Sequence, residues 1–352
     1  MTMTDPGSPI VGLPPPRANP KLIGQDDAMT AFATATGGAR LAHAWLLAGP
    51  AGIGKATLAY RAAREVLGAT HEPADPIFRR IAGASHADLM VVDCGDGDAP
   101  GGGQGAEIPV ARVRAIAPFL RLTAAEGGWR VVIVDGADRL NLHAANALLK
   151  LLEEPPNNTL MLLVCHRPSL LQATIRSRCR SLPLRPLATP TVTALLRQAA
   201  LDLNDEALVA LARLARGSIG RAVRLAADDA VSRYREIVAI ANASGGDGDR
   251  LHALADSVSG PRAGSGFASL VELIQTIIQR TVERGARGGG EGEIVPGEGA
   301  AIRALLDRRD LARWVALWEK IGHRAALAER INLDRGQIVI SALSGLAAPG
   351  RS

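Results

Sequence analysis

The sequence predicts an α/β domain built on a mostly parallel sheet, followed by a chain that stays helical to its end. Three observations carry this. First, short and almost wholly apolar runs recur through the first half, at Ala44–Ala48, Leu89–Val92, Val131–Val134 and Leu160–Cys165, with a weaker one at Cys179–Leu184. Runs of that length and character are what strands covered on both faces require. Second, helical patterns lie between the runs, at roughly 56–67, 110–122 and 141–153. Regular alternation of the two kinds of segment places the strands parallel. Third, strand signals fade after about residue 186.

Taken in order, residues 1–20 are rich in Pro and Gly and read as a flexible leader. The helix over 141–153 is amphipathic, with Leu142, Ala145, Leu148, Leu149 and Leu152 on one face, and Pro155-Pro156 ends it. Beyond the last strand, 191–201, 205–215 and 219–227 read as short helices, with Gly217 and Gly220 near the junction of the last two. From about 232 the chain is helical again, including Ser269–Arg284 and Leu311–Ile331. Two Gly-rich stretches, Gly95–Gly105 and Arg284–Gly299, read as surface loops or disordered segments. The layout expected is a leader over 1–20, an α/β domain over 21–186, a small helical domain over 187–231 and a larger helical domain over 232–352.

Composition narrows the class. The chain has 352 residues, 47% hydrophobic and 21% charged, enough to bury a core in each domain. Aromatics are only 3%, so Ala, Leu, Val and Ile must build that core. Three cysteines, Cys94, Cys165 and Cys179, make no disulfide framework and match no zinc spacing. No apolar run approaches the ~18 residues of a membrane helix, and the N-terminus lacks the apolar stretch of a signal peptide. A soluble, reduced, cytoplasmic protein with no membrane partner is the expectation. The net charge of +5 is compatible with nucleic acid but is not evidence for it, because Arg and Ala are abundant along the whole chain.

The strongest motif is Gly49-Pro-Ala-Gly52-Ile-Gly54-Lys55-Ala56-Thr57, which fits G-x-x-x-x-G-K between a strand and a helix. Glycines there let backbone N–H groups turn inward on phosphate oxygens, and the helix N-terminus adds partial positive charge. Lys55 is the candidate ligand of the outer phosphates. A loop that also holds Mg²⁺ has Ser or Thr directly after the lysine. Here that position is Ala56, and Thr57 lies about 100° further round the helix. The phosphate signal is therefore strong and the metal signal weak.

A second motif is the apolar strand that ends in Asp135, where a nucleoside triphosphatase holds its Mg²⁺. Gly136 follows, where a hydrolysing enzyme carries a water-activating acid. Asp138 reads as a capping or loop residue. Cys165 and Cys179 read as buried thiols, and His43 as structural.

With these strings on the page the chain resembles the AAA+ clamp-loader subunits, the delta-prime group of bacterial DNA polymerase III in particular. The strings run in order: Leu22-Ile-Gly-Gln25, His43-Ala-Trp-Leu-Leu, the phosphate loop, VVIVDGADRLNLHAANALLKLLEEPPNNT, Ile175-Arg-Ser-Arg-Cys179 and Gly217-Ser-Ile-Gly220. The likeness covers about residues 20–230. It implies a RecA-like AAA+ P-loop domain, a helical lid and an all-α collar for assembly into a hetero-pentamer with motor subunits and a delta subunit. It also implies work on a sliding clamp and on primed DNA, by phosphate contacts independent of sequence. Arg112 and Arg114 are loose candidates for those contacts. Nucleotide, ATP or ADP, would sit on Gly49, Gly52, Gly54, Lys55, Ala56, Thr57 and Asp135, with Mg²⁺ only alongside it and no zinc. Ser177-Arg178-Cys179 is similar to the family's Ser-Arg-Cys motif, so Arg178 is the implied arginine finger, acting on a neighbour's ATP.

The departures from the family pattern point to one kind of subunit. Gly136 replaces the catalytic acid, Ala56 replaces the metal hydroxyl, and Gly220 stands where motor subunits carry a sensing arginine, with Arg221 one residue off. The finger is kept. This pattern fits a stator that completes a neighbour's site without hydrolysing ATP itself. The alternatives are an active motor subunit of the same loader, a small-molecule kinase built on the same loop, and a purely structural subunit.

Overall fold

A computed structural model describes residues 13–37, 41–95, 107–126, 128–199, 201–243, 248–259, 266–288, 292–331 and 334–347. Residues 1–12 of the expected leader and 96–105 of the expected Gly-rich loop lie outside the described residues. The chain forms two compact units. One holds the residues up to Leu201 together with Gly217–Arg221; the other holds Asp202–Arg216 and the residues from Ala222 onward.

The first unit is a five-stranded sheet, β1 (Ala44–Ala48), β2 (Leu89–Val92), β3 (Arg130–Asp135), β4 (Thr159–Cys165) and β5 (Arg180–Pro183), ordered β2-β3-β4-β1-β5. All four pairings are parallel. The helices are α1 (Asp26–Thr36), α2 (Lys55–Val66), α3 (Pro76–Ala82), α4 (Val110–Arg114), α5 (Ile116–Arg121), α6 (Leu142–Glu153), α7 (Ala173–Arg176) and α8 (Thr189–Gln198). Side chains alternate faces along each strand. Leu46, Val132, Val134, Met161 and Leu163 meet Val113, Ile116, Leu148 and Leu152 of α4, α5 and α6. Trp45, Leu47, Val131, Ile133, Leu160 and Leu162 meet Phe32, Leu58, Ala59 and Ala62 of α1 and α2. Both faces are covered, which is why the central strands are apolar at every position rather than at every second one.

The structure departs from the sequence reading in three places here. The helix expected over 110–122 is two helices that meet at Ala115. Pro118 has no N–H to give the Arg114 carbonyl, so the helix restarts with the proline in a first turn, where no such bond is owed. Helices α1 and α3 were not foreseen. The second half of the expected flexible leader is docked: Pro16–Ala18 forms a 3₁₀ turn, and fully buried Arg64 donates to the carbonyls of Arg17 (3.3 Å) and Asn19 (2.7 Å) while lying over the Phe78 ring.

The second unit is helical: α9 (Asp205–Leu214), the later part of α10 (Ile219–Ala227), α11 (Ala230–Asn242), α12 (Gly248–Asp256), α13 (Gly266–Arg287), α14 (Glu298–Arg308), α15 (Leu311–Ile331) and α16 (Arg335–Ala347). Helix α13 is its centre and packs on α11, α14, α15 and α16. Its buried Leu270, Leu273, Ile274, Ile277 and Ile278 follow the 3, 4, 7, 8 spacing of a helix face. Among the described residues no helix is long and apolar enough to cross a membrane.

The loop expected at Arg284–Gly299 is shorter than its bounds and partly buried, with residues 289–291 outside the described residues. Helix α13 continues to Arg287, and Ile294, Val295 and Glu298 are buried. Glu298 accepts from Tyr234 Oη (2.6 Å), Arg280 Nε (2.7 Å) and the Ile294 N–H (2.6 Å). A stretch rich in Gly and Glu looks like solvent-facing chain by composition; residues 294–298 turn inward because Glu298 meets three donors there.

Candidate functional site

The loop after β1 is built for an anion. Gly52 and Gly54 take left-handed backbone angles, φ +73° and +101°, and Gly54 caps α2. Lys55 is the first residue of α2 and is 3% exposed. Its Nζ donates to the Pro50 carbonyl at 2.5 Å, which holds the ammonium inside the curl of the loop. Burial pushes its pKa down to about 8; the carboxylates of Asp135 and Asp138 pull the other way and only partly offset that. Ala56 and Thr57 follow within α2, so one residue of helix separates the methyl from the hydroxyl.

Asp135 ends β3, and Gly136, with φ +85°, starts the 3₁₀ turn Ala137–Arg139. Asp138 lies in that turn, the loop position the sequence indicates, with its side chain buried. Its side chain is 2% exposed, Oδ1 accepts from the His166 N–H at 2.8 Å, and Oδ2 lies 3.5 Å from Arg167 Nε. Burial works against its charge, but the His166 N–H and the positive neighbours outweigh burial and hold its carboxyl below the usual range. A carboxylate committed in this way ties the end of β4 to the turn after β3 and is a poor candidate for a displaced catalytic base.

His166 is a residue the sequence reading missed. It follows β4 beside Lys55 and Asp138, and its Nδ1 is buried with no hydrogen-bond partner. Burial and then the Lys55 charge push its pKa down to about 4, so the ring is neutral at pH 7. Nothing in the sequence marks it, because its setting is made by three separate strand ends. Cys165 and Cys179 are buried thiols, each raised to about 12 by burial. His43 Nε2 lies 3.2 Å from the Leu152 carbonyl, a structural contact.

Gly217-Ser-Ile-Gly220 closes on the back of the phosphate loop. Ser218 Oγ donates to the Ala51 carbonyl at 2.8 Å, and the Gly220 N–H donates to the Gly52 carbonyl at 3.1 Å. A Cβ at position 220 would stand 3.0 Å from Gly52 Cα. This gives a physical reason for glycine here: a side chain at 220 would crowd the Gly52 backbone and require the phosphate loop to shift by a few tenths of an ångström.

Arg178 stands elsewhere. Ile175 and Cys179 are buried on either side of it, and Ser177 Oγ closes the turn on the Thr174 carbonyl at 3.0 Å. The Arg178 side chain is 37% exposed; Nη1 donates to the Thr174 carbonyl at 3.1 Å and Nη2 pairs with Glu153 Oε1 at 2.8 Å. Arg178 precedes β5, whose register sets Arg180 beside Trp45 and Pro183 beside Ala48. The phosphate loop leaves β1 after Ala48. The length of β1 therefore separates the strand end near Arg178 from the chain's own loop, about 13 Å at ~3.3 Å per residue. The structure thus gathers Gly49, Gly52, Gly54, Lys55 and Asp135 at one end of the sheet and sets Arg178 at the other. Of the loose candidates for DNA, Arg112 is paired with Asp93 at 2.7 Å and Arg114 is exposed.

The donor set fits a nucleotide phosphate better than a metal. The glycine curl, the α2 N-terminus and Lys55 suit an anion. For Mg²⁺, the hydroxyl position is Ala56 and Asp138 is committed, leaving Asp135 and the nucleotide itself. Among the described residues no group of three or more His, Cys, Asp or Glu side chains is placed to hold a metal ion.

Residues 24–188 match the family described as DNA polymerase III, delta subunit. Over 187 residues the chain is 39% identical to DNA polymerase III subunit delta' of Pseudomonas aeruginosa, covering 51% of this chain and 53% of that one. It is 30% identical over 213 residues to DNA polymerase III subunit tau/gamma of Haemophilus influenzae, covering 58% and 30%. The matched stretch spans about half the length, or less, of these relatives. Among solved structures, the Thermotoga maritima RuvB Holliday junction branch migration motor aligns over 77% of this chain and 79% of that one, at 23% identity and a TM-score of 0.41.

Proposed function

Because residues 24–188 match the family described as DNA polymerase III, delta subunit, we propose that this chain is a delta-prime-like clamp-loader subunit. In this reading it is a stator: it hydrolyses no ATP of its own and supplies Arg178 to the ATP site of a neighbouring motor subunit while a sliding clamp is placed on primed DNA. Residues 21–186 are then the AAA+ domain, 187–231 the lid and 232–352 the collar, joined to motor subunits and a delta subunit in a cytoplasmic hetero-pentamer. One observation carries the reading: Arg178 is exposed at the sheet end remote from the chain's own phosphate loop, so a phosphate it meets belongs to another chain. Two others agree with it. Gly136 offers no acid to activate water, and Gly220 carries no sensing side chain where one would crowd Gly52.

The chemistry of a finger is electrostatic. A fixed guanidinium near the γ-phosphate offsets the charge that develops there. The test is ATP turnover by the reconstituted loader with clamp and primed DNA. Arg178→Ala is expected to slow single-turnover hydrolysis at the neighbouring site and Lys55→Ala to leave it within about twofold, the scale of an interaction below RT. The reverse order would make this chain a motor.

The chain's own loop is proposed to hold ATP or ADP without turnover, through Gly49, Gly52, Gly54 and Lys55 with Ala56 and Thr57 at the start of α2. Its pH dependence follows from Lys55. With a pKa of about 8 the free lysine is charged below that pH and loses its proton above it. A bound phosphate favours the charged form, so binding takes up a proton above pH 8. Affinity for ATP or ADP is therefore expected to be flat from pH 6.5 to 7.5 and to fall by up to about tenfold per pH unit beyond 8. Titration calorimetry reads both the affinity and the proton uptake; an affinity level to pH 9.5 removes Lys55 as the phosphate ligand.

A further inference from the structure

We propose that Glu153 is a positioning residue for Arg178, holding the guanidinium in the rotamer from which it reaches a neighbouring chain; this rests on the finger reading above. Three observations meet here. Glu153 is the last residue of α6, and Arg178 belongs to the turn after α7, so the ion pair at 2.8 Å joins two separate elements. Thr174 O takes one terminal nitrogen of the guanidinium and Glu153 Oε1 the other, so the plane of the fork is set from two sides. The remaining N–H groups of a five-donor fork stay available for an incoming phosphate.

The third observation is that Glu153 stands against local preference. The C-terminal turn of a helix disfavours negative charge, because the free carbonyls there already carry a partial one. Here the α6 C-terminus has Glu153 and Glu154 together. The charge of Glu153 is offset by Arg178, with which it pairs across the two elements. Such breaches of local rules mark positions kept for another purpose.

An exposed pair of this kind adds little to folding, since both side chains are about half in water and salt screens them. Its effect lies in pre-organisation. A free arginine side chain spreads over many rotamers, and restraining it in advance removes part of that entropy from the step in which it meets phosphate. Glutamine at 153 keeps an acceptor oxygen but loses the charge; alanine loses both. The expected order of loader turnover at saturating ATP is wild type, then Glu153→Gln, then Glu153→Ala, then Arg178→Ala. At the neighbouring site itself, the Glu153 variants are expected to slow single-turnover hydrolysis about three- to tenfold, well short of the finger's own effect. Because Glu153 acts through Arg178, adding Glu153→Ala to Arg178→Ala should change nothing further.

The test is therefore a double-mutant cycle on single-turnover ATP hydrolysis in the assembled loader, with clamp and primed DNA present. Incorporation of each variant chain is checked by gel filtration and its melting temperature is compared with wild type. Graded losses that vanish in the Arg178→Ala background support the positioning role. Full activity in both Glu153 variants overturns it, as does a Glu153→Ala loss of equal size with and without Arg178, which marks a structural effect. If Arg178→Ala is itself silent, the finger reading fails first and the positioning role falls with it.

Discussion

Replacing Arg178 by alanine is expected to slow hydrolysis at the neighbouring site by about 10³-fold, roughly 4 kcal/mol of transition-state stabilisation. The size follows from what a finger does. The transferred phosphoryl group spreads charge over its oxygens, and a guanidinium already in place offsets it without reorganising. The substitution is conservative for the fold: the side chain is 37% exposed and its ion pair lies at the surface, where such changes move stability by about 0.5 kcal/mol or less. The chain should still assemble, and total loader turnover should fall by the share of the one site that loses its finger. Single-turnover measurement separates that site from the others. Unchanged rates in a loader shown to contain the variant chain would falsify the stator reading.

The largest expected effect on stability is at Glu298. This carboxylate is 0% exposed and serves Tyr234 Oη, Arg280 Nε and the Ile294 N–H at 2.6–2.7 Å. Glu298→Ala leaves the 12%-exposed Arg280 side chain without its ion-pair partner and the Tyr234 hydroxyl without its acceptor. Removing one member of a buried pair costs about 3–5 kcal/mol, because the other charge stays desolvated. In a helical unit of this size that is a loss of 10 °C or more in melting temperature, read by circular dichroism or calorimetry. Tyr234→Phe removes a single hydrogen bond to a charged group, and about 1.5–3 kcal/mol is expected. A Glu298→Ala protein that melts within 2 °C of wild type, at the scale of an exposed substitution, would show that water reaches the cluster.

The two expected effects differ in how far the sequence foretold them. The phosphate loop was legible because its chemistry is local. Backbone N–H groups, glycine angles and one lysine lie within seven residues, and strand and helix flank them. The strands were legible for a similar reason: burial on both faces leaves unbroken apolar runs in β1, β3 and β4, and all five strands match the expected runs to within a residue at each end. Arg178 was legible only through its flanking residues and the family they resemble. Its partner Glu153 was not, although an acid at a helix C-terminus was a visible anomaly. His166 and Glu298 were invisible, since each owes its character to residues distant in sequence.

By itself, then, the sequence determined the α/β class, the position of the phosphate loop and the absence of the acid and hydroxyl that hydrolysis needs, because each depends on neighbours in the chain. Only the tertiary structure decided that Asp138 is a buried tie, that Gly220 presses on Gly52, that residues 16–19 are docked by Arg64, and that residues 294–298 turn inward at Glu298. The physical reason is the same in each case. Whether a polar group is exposed or fully satisfied is settled by what other elements bring to it, and spacing along one chain carries no record of that.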